Sequence, residues 1–195
     1  IKIISFFIIA ILIAGISFYT SLQIAKKNRY PAVMKNMLDE NYKPEISSIS
    51  KNDLKFNYKL RDYYVKSSYN SCCAGDFQDS YVSLDPLEQI LFHGGRVLDF
   101  AVYSVDGKAV VAASPFQNPN IKGTYNSIPI DKVMQRVSQL AFSSAKCANP
   151  DDPLFLHFRI KSNRKETIKP SNLAKILSLE IPMPFNFFLT IILKK

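Results

Sequence analysis

Histidine is the scarcest chemistry-bearing side chain here: His93 and His157 are the only two in 195 residues. A proton shuttle working near neutral pH has little else to draw on, because imidazole alone titrates there unperturbed. Cysteine is sparse too. Cys72, Cys73 and Cys147 are odd in number and lack the C-x-x-C spacing of a zinc site. Reduced, partly buried thiols are the expected state, and a bridge from Cys147 to one of the adjacent pair is the alternative. Acid is short as well: 16 Asp and Glu stand against 25 Lys and Arg, a formal charge of +9. That balance favours an anionic partner such as nucleic acid, a lipid headgroup or an acidic protein face. Arginines interleaved with aromatics are missing, and the basic residues are scattered apart from Lys26, Lys27 and Arg29. No nucleic-acid partner is therefore expected. No internal repeat is present, and the length excludes two full domains while leaving room for one domain with an anchor or tail.

Between residues 3 and 25 what is absent is charge. The stretch reads IISFFIIAILIAGISFYTSLQIA and is followed at once by KKNR. About 20 apolar residues rising 1.5 Å each cross a hydrocarbon core of roughly 30 Å, so a transmembrane helix is expected. No face is polar, which argues against a buried core helix. Ser17, Phe18 and Tyr19 make a poor cleavage site, which argues against a signal peptide. The basic cluster on the C-terminal flank, opposed by Lys2, places the following domain on the cytosolic side. Phe18 and Tyr19 suit the headgroup region.

The chain divides into an anchor with a basic flank at 1–29, a linker at 30–60, an α/β domain at 61–180 and an apolar tail at 181–195. Pro31, Pro44 and the run SSIS mark the linker, with one short helix at 33–38. Strand-like runs follow at 63–66, 96–103 (RVLDFAVY), 109–113 (AVVAA) and 154–160 (LFLHFRI). Helical spacing appears at 86–92 and 130–141, where Ile130, Val133, Met134, Val137, Leu140 and Ala141 form one face behind Pro129; a weaker pattern covers 173–179. This alternation predicts a mainly parallel sheet covered by helices. The tail, IPMPFNFFLTIILKK, is too short to span as a helix and reads as a buried strand, an interfacial segment or an inserted edge.

Several of these stretches together are familiar. LRDYYVKSSYNS, then HGGRVLDFAVYS, then SIPIDKVMQRVSQLAFS, then DPLFLHFRIKS resembles the X-box half of the phosphoinositide-specific phospholipase C family over about residues 60–165. The resemblance implies a TIM-barrel-like phosphodiesterase fold, here partial: a complete barrel needs about 250 residues. It also implies where chemistry should sit. In the family a histidine on the first strand stabilises the phosphate, and the asparagine after it helps hold calcium. Asn70 matches the asparagine, but Tyr69 stands in the histidine position, and a neutral phenol supplies no imidazolium charge. In GGRVLDFAVY, Arg96 matches the family arginine and Asp99 the first acid, while Ala101 replaces the calcium-binding aspartate. The loop expected to carry a second histidine, the general acid and base, reads ASPFQNPN. Arg159 stands where a metal-binding glutamate is expected, and a guanidinium repels a divalent cation.

Four losses, at Tyr69, Ala101, the histidine-free loop and Arg159, imply a degenerate site with positions Tyr69, Asn70, Asp99, Ala101 and Arg159, and with no catalytic residue, metal or cofactor. Asn70 then reads as a turn residue and His157 as a structural histidine. Asp99 becomes half of an ion pair with Arg96 or Arg159. The expected function is that of a membrane-anchored structural or assembly protein, a pseudoenzyme held in the bilayer through 3–25 and docked on neighbouring proteins. Truncated, anchored chains of this look resemble proteins of large double-stranded DNA viruses with an internal membrane. That resemblance implies a minor capsid or membrane-associated virion component in contact with capsid proteins. The competing expectation is an active phosphodiesterase on phospholipid headgroups, using Asp99, His157 and Arg159 in a new arrangement.

Overall fold

Alternation of side chains along two sequence-distant strands organises the folded unit. In a computed structural model, which describes residues 2–36, 46–49, 58–75, 78–114, 120–161 and 187–193, strand β1 (Val97–Val105) and strand β4 (Leu154–Lys161) run parallel with Asp99 opposite His157 and Ala101 opposite Arg159. Leu98, Phe100, Val102, Leu154, Leu156, Phe158 and Ile160 all point to one side and are buried there. Phe100 and Phe158 stack across the pair, ring centroids 5.6 Å apart.

Two helices cover that side. Helix α2 (Asp85–Phe92) contributes Leu87 and Leu91, and helix α3 (Ile130–Ala141) contributes the six apolar residues its spacing picks out, all buried. Each large side chain removed from water adds about 1.5–3 kcal/mol, so this layer holds the unit together. Helix α2 stops where Gly94 takes a left-handed backbone (φ 79°), letting the Gly95 amide return 2.8 Å to the Ile90 carbonyl. A Cβ on Gly95 would lie 2.8 Å from that carbonyl oxygen.

The sheet has five strands in the order β3-β2-β1-β4-β5. Strand β2 (Lys108–Val111) folds back antiparallel on β1 through an Asp106-Gly107 turn, both residues at positive φ, and β3 (Ile128–Pro129) pairs antiparallel with β2. Strand β5 (Phe187–Leu193) lies parallel to β4. The sheet is thus mixed rather than mainly parallel, because the tight hairpin can only reverse the chain. The run expected as a strand at 63–66 forms no ladder; a single parallel bridge lies just after it, Ser67 to Val97, and β2 takes the edge of β1 further on, at Val102–Val105. The expected helix at 173–179 lies outside the described residues, as do 181–186; of the tail, β5 is an edge strand.

Helix α1 (Lys2–Asn36) carries the apolar span Ile3–Arg29, which is long and apolar enough to cross a membrane and has no buried residue in its most apolar stretch. It does not end at the basic flank but passes Pro31 and reaches Asn36. Strong helix formers on both sides, Ala25, Lys26, Lys27, Ala32 and Met34, offset the one amide that proline removes. The short helix expected at 33–38 is in this way the end of α1. Within the linker, 46–49 is clasped to the α/β unit: the Ile49 amide donates to Asp152 Oδ1 at 2.8 Å, and the Asp151 amide donates to Ser48 Oγ at 3.1 Å.

Candidate functional site

Asp99, the third residue of β1, faces away from the helices and is nearly sealed, with 5% of its side chain exposed. Its partners come from three places in the sequence. Arg159 Nε donates to Oδ2 at 2.9 Å, and Arg159 Nη2 donates to Oδ1 at 2.6 Å. The Asn70 amide donates to Oδ1 at 3.1 Å, and His157 Nδ1 lies 2.5 Å from Oδ2. Parallel register sets this up directly, since His157 stands opposite Asp99 and Arg159 one pleat further along.

Asn70 closes the cluster. Its backbone is left-handed (φ 47°), its carbonyl accepts the Cys73 amide at 2.7 Å, and its side-chain oxygen accepts a hydrogen bond from Arg159 Nη2. It is therefore both the expected turn residue and a partner of the cluster. Ser71 locks this loop to β1: its amide donates 2.8 Å to the Asp99 carbonyl, and its hydroxyl accepts the Asp99 amide at 2.9 Å. Tyr69 lies over the guanidinium, Arg159 Cζ being 4.4 Å from the ring centroid, while the residue itself stays 60% exposed. Ala101 is buried beside Tyr103 and brings no donor.

Burial pushes the Asp99 carboxyl up, but the Arg159 hydrogen bonds, the Asn70 amide, the Arg159 charge and His157 outweigh it and hold the group below its ordinary range. Burial disfavours the Arg159 charge, yet the Asp99 carboxylate more than restores it. Asp99 and Arg159 are thus a locked, charge-neutral pair.

Calcium, which the family resemblance implies, does not fit this donor set. The Asn70 oxygen and both Asp99 oxygens are engaged by one guanidinium, and Ala101 and Arg159 supply no oxygen. Among the described residues no group of three or more His, Cys, Asp or Glu is placed to hold a metal.

Of the two arginines weighed as partners of Asp99, the structure selects Arg159 and rejects Arg96. Arg96, 2% exposed, reaches back under α3: Nη1 donates to the Ala141 carbonyl at 2.7 Å and to Cys147 Sγ at 3.3 Å, Nε donates to the Pro153 carbonyl at 3.3 Å, and Nη2 donates to the Asp152 carbonyl. It staples the start of β1 to the loop between α3 and β4. Burial lowers its proton affinity, with Cys147 and Asp152 opposing. All three cysteines are free. Burial, with Cys73 adding to it, drives the Cys72 thiol far up, so it stays protonated and inert. His93 is not brought to the cluster; it ends α2 beside Lys66, whose ammonium donates to its carbonyl at 2.9 Å.

No protein-family model matches this chain, and no curated protein matches it. Solved structures do. The phospholipase C PLC21 of S. officinalis superposes with a TM-score of 0.51 at 20% identity, covering 64% of this chain and 14% of that one. PLC21 of L. pealei gives 0.48 at 18% identity, over 63% of this chain and 14% of that one. The fold is phospholipase-C-like. At 14% of the relative's length the chain spans a small part of such an enzyme, and the described phospholipase-C-like unit is an open sheet rather than a closed barrel.

What the sequence did not disclose is the complementarity of two replacements. Tyr69 reads as filler by itself, and Arg159 as a lost ligand. Together they stack, an aromatic face against a cation; the signal was that one replacement was aromatic and the other a guanidinium.

Proposed function

We propose that this chain is a membrane-tethered, phospholipase-C-like module that has given up turnover and acts as a structural component of a membrane-bounded assembly. The observation that carries the reading is the Arg159 guanidinium, bound at once to the Asn70 oxygen and to both Asp99 oxygens. A cation entering there would have to displace a half-buried arginine from a buried counter-charge, at a cost of several kcal/mol. Helix α1 anchors the module in the bilayer, with Lys26, Lys27 and Arg29 on the cytosolic side among anionic headgroups. The α/β unit docks on neighbouring proteins and takes no nucleic acid.

The test is direct. The full chain in nanodiscs, given phosphoinositide or lysophospholipid with calcium, is expected to release no headgroup product above buffer. Turnover that Asp99→Ala abolishes overturns the proposal.

A second reading, a phospholipid phosphodiesterase, is favoured by one contact: Asp99 holds His157 Nδ1 at 2.5 Å, which orients an imidazole as a general base. It requires turnover that is lost in His157→Ala and that survives chelation of calcium.

A further inference from the structure

The chain coming from α1 is fastened to the α/β unit at one end of the sheet. Arg96, just ahead of β1, stands level with Lys66 on one side and with the start of β4 on the other: its amide donates 2.9 Å to the Lys66 carbonyl, and its carbonyl accepts the Phe155 amide at 2.8 Å. These stretches run parallel, so what precedes Lys66 and Leu154 in the chain gathers at the same end. Asp151 and Asp152, which hold 46–49, come just before β4. The 3₁₀ turn Leu60–Asp62 comes just before the bridge at Ser67. That turn lies beyond the strand ends and is no part of either sheet edge. Its surface alternates apolar and cationic side chains, with Tyr58, Lys59, Leu60 and Arg61 all exposed. Lys66 is exposed beside them and donates to the His93 carbonyl. The acids at this end are Asp62, which accepts the Lys59 amide at 3.1 Å and lies 3.7 Å from Arg61 Nε, and Asp151. Over 51–66 as a whole, five cations stand against two acids.

We infer that this end of the α/β unit is a second membrane contact: Tyr58 and Leu60 seat at the headgroup boundary of the bilayer that holds α1, with Lys59, Arg61 and Lys66 among anionic lipid phosphates. Tyrosine and leucine interleaved with long cationic side chains match that boundary, where a ring or an apolar stem enters and a charged tip stays wet. Excess positive charge at the turn draws it to an anionic leaflet. The tether chooses lipid over a protein face, because the clasp of 46–49 brings this end of the unit, rather than another, back toward α1. Held within reach of the bilayer, the turn needs little affinity of its own to stay there. Asn70, which closes the Asp99 cluster, comes seven residues after Tyr63, roughly 20 Å along an extended stretch. Docking by the turn therefore leaves that cluster clear of the headgroups, as suits a module that binds the membrane without turning lipid over. This deepens the membrane-tether reading and rests on α1 lying in the bilayer.

The chain contains no tryptophan, so one introduced indole reports alone. The full chain carrying Tyr58→Trp is reconstituted in vesicles of phosphatidylcholine and phosphatidylserine, with and without bromine on the acyl chains near the headgroups, and recovered by flotation. Bromine is expected to quench that indole, and that of Leu60→Trp likewise. Val105→Trp, at the far end of β1 and roughly 26 Å from its start, is expected to stay unquenched. Raising salt, or omitting phosphatidylserine, is expected to weaken the quenching of Tyr58→Trp while the chain still floats. Adding Lys59→Glu and Arg61→Glu should do the same with an unchanged far-ultraviolet circular dichroism spectrum; if that variant fails to fold, the salt series carries the charge test. Indoles at 58 and 60 that bromine leaves unquenched overturn the inference, whether they are wet, as a protein-facing surface would be, or already shielded in detergent by the chain's own residues. Equal quenching at 58 and 105, or quenching indifferent to salt and phosphatidylserine, overturns it too. A chain that does not float overturns this contact and the tether together, one that floats without quenching overturns the contact alone, and neither result bears on turnover.

Discussion

Replacing Arg159 with methionine keeps the bulk of the side chain but removes the guanidinium from a carboxylate that is 5% exposed. Asp99 then retains the Asn70 amide and His157 as partners. Stranding a buried charge in this way costs about 3–5 kcal/mol, and the two contacts that remain recover part of it, so a loss of about 3 kcal/mol is expected. For a unit of about 100 residues, each kcal/mol moves the midpoint by roughly 4–8 °C, so Tm should fall by about 10–20 °C. Near-ultraviolet circular dichroism follows the α/β unit, because eight of the ten tyrosines lie outside α1, which carries Tyr19 and Tyr30. The informative quantity is the double-mutant cycle: once Asp99→Asn removes the charge, adding Arg159→Met should cost far less, giving a coupling of about 2 kcal/mol or more. A single-variant loss below about 1 kcal/mol, or effects that add within about 0.5 kcal/mol, refutes the locked pair.

Arg159→Glu puts a second carboxylate beside Asp99 and Asn70 Oδ1. This variant should be destabilised in chelator and rescued by calcium, by about 2.7 kcal/mol at a hundredfold excess over Kd, read as a thermal shift; no calcium dependence would show that the guanidinium does not occupy a cation's place. Arg96→Lys keeps the charge but not the planar fork that serves the Ala141, Asp152 and Pro153 carbonyls, and a loss of about 2–4 kcal/mol is expected in urea titration. Acid should also act at defined groups. Asp99 and Glu88 are both held below their ordinary values of 3.8 and 4.5, Asp99 against its burial by Arg159, and Glu88 chiefly by the Lys146 hydrogen bond. Their contribution is fully present above those values and is lost as pH falls through the lower folded ones, and Asp99→Asn should flatten that decline.

The helix faces and the two central strands were legible in the sequence because periodicity reports burial directly: α3 buries each of its six spaced apolar residues, and β4 alternates from Leu154 to Lys161. The hairpin was less visible. Its residues read as a strand, but the direction is set by the positive φ of Asp106 and Gly107 rather than by hydrophobicity. At the site, the residue identities followed from the family resemblance, and the pairing did not. Arg96 and Arg159 are equally plausible partners of Asp99 on paper. Only strand register, which brings Ala101 opposite Arg159 and sends Arg96 under α3, decides between them.

The clasp of 46–49 by Asp151 and Asp152 sets how far the α/β unit can stand from the end of α1. A chain free from the end of α1 at Asn36 to Tyr58 would reach about 75 Å when extended, at roughly 3.4 Å per residue. With Ser48 fastened, the separation from Asn36 is twelve residues, at most about 40 Å at roughly 3.4 Å per residue. Lengthening that stretch, or loosening the clasp with Asp152→Ala, raises the ceiling on that distance without altering either end.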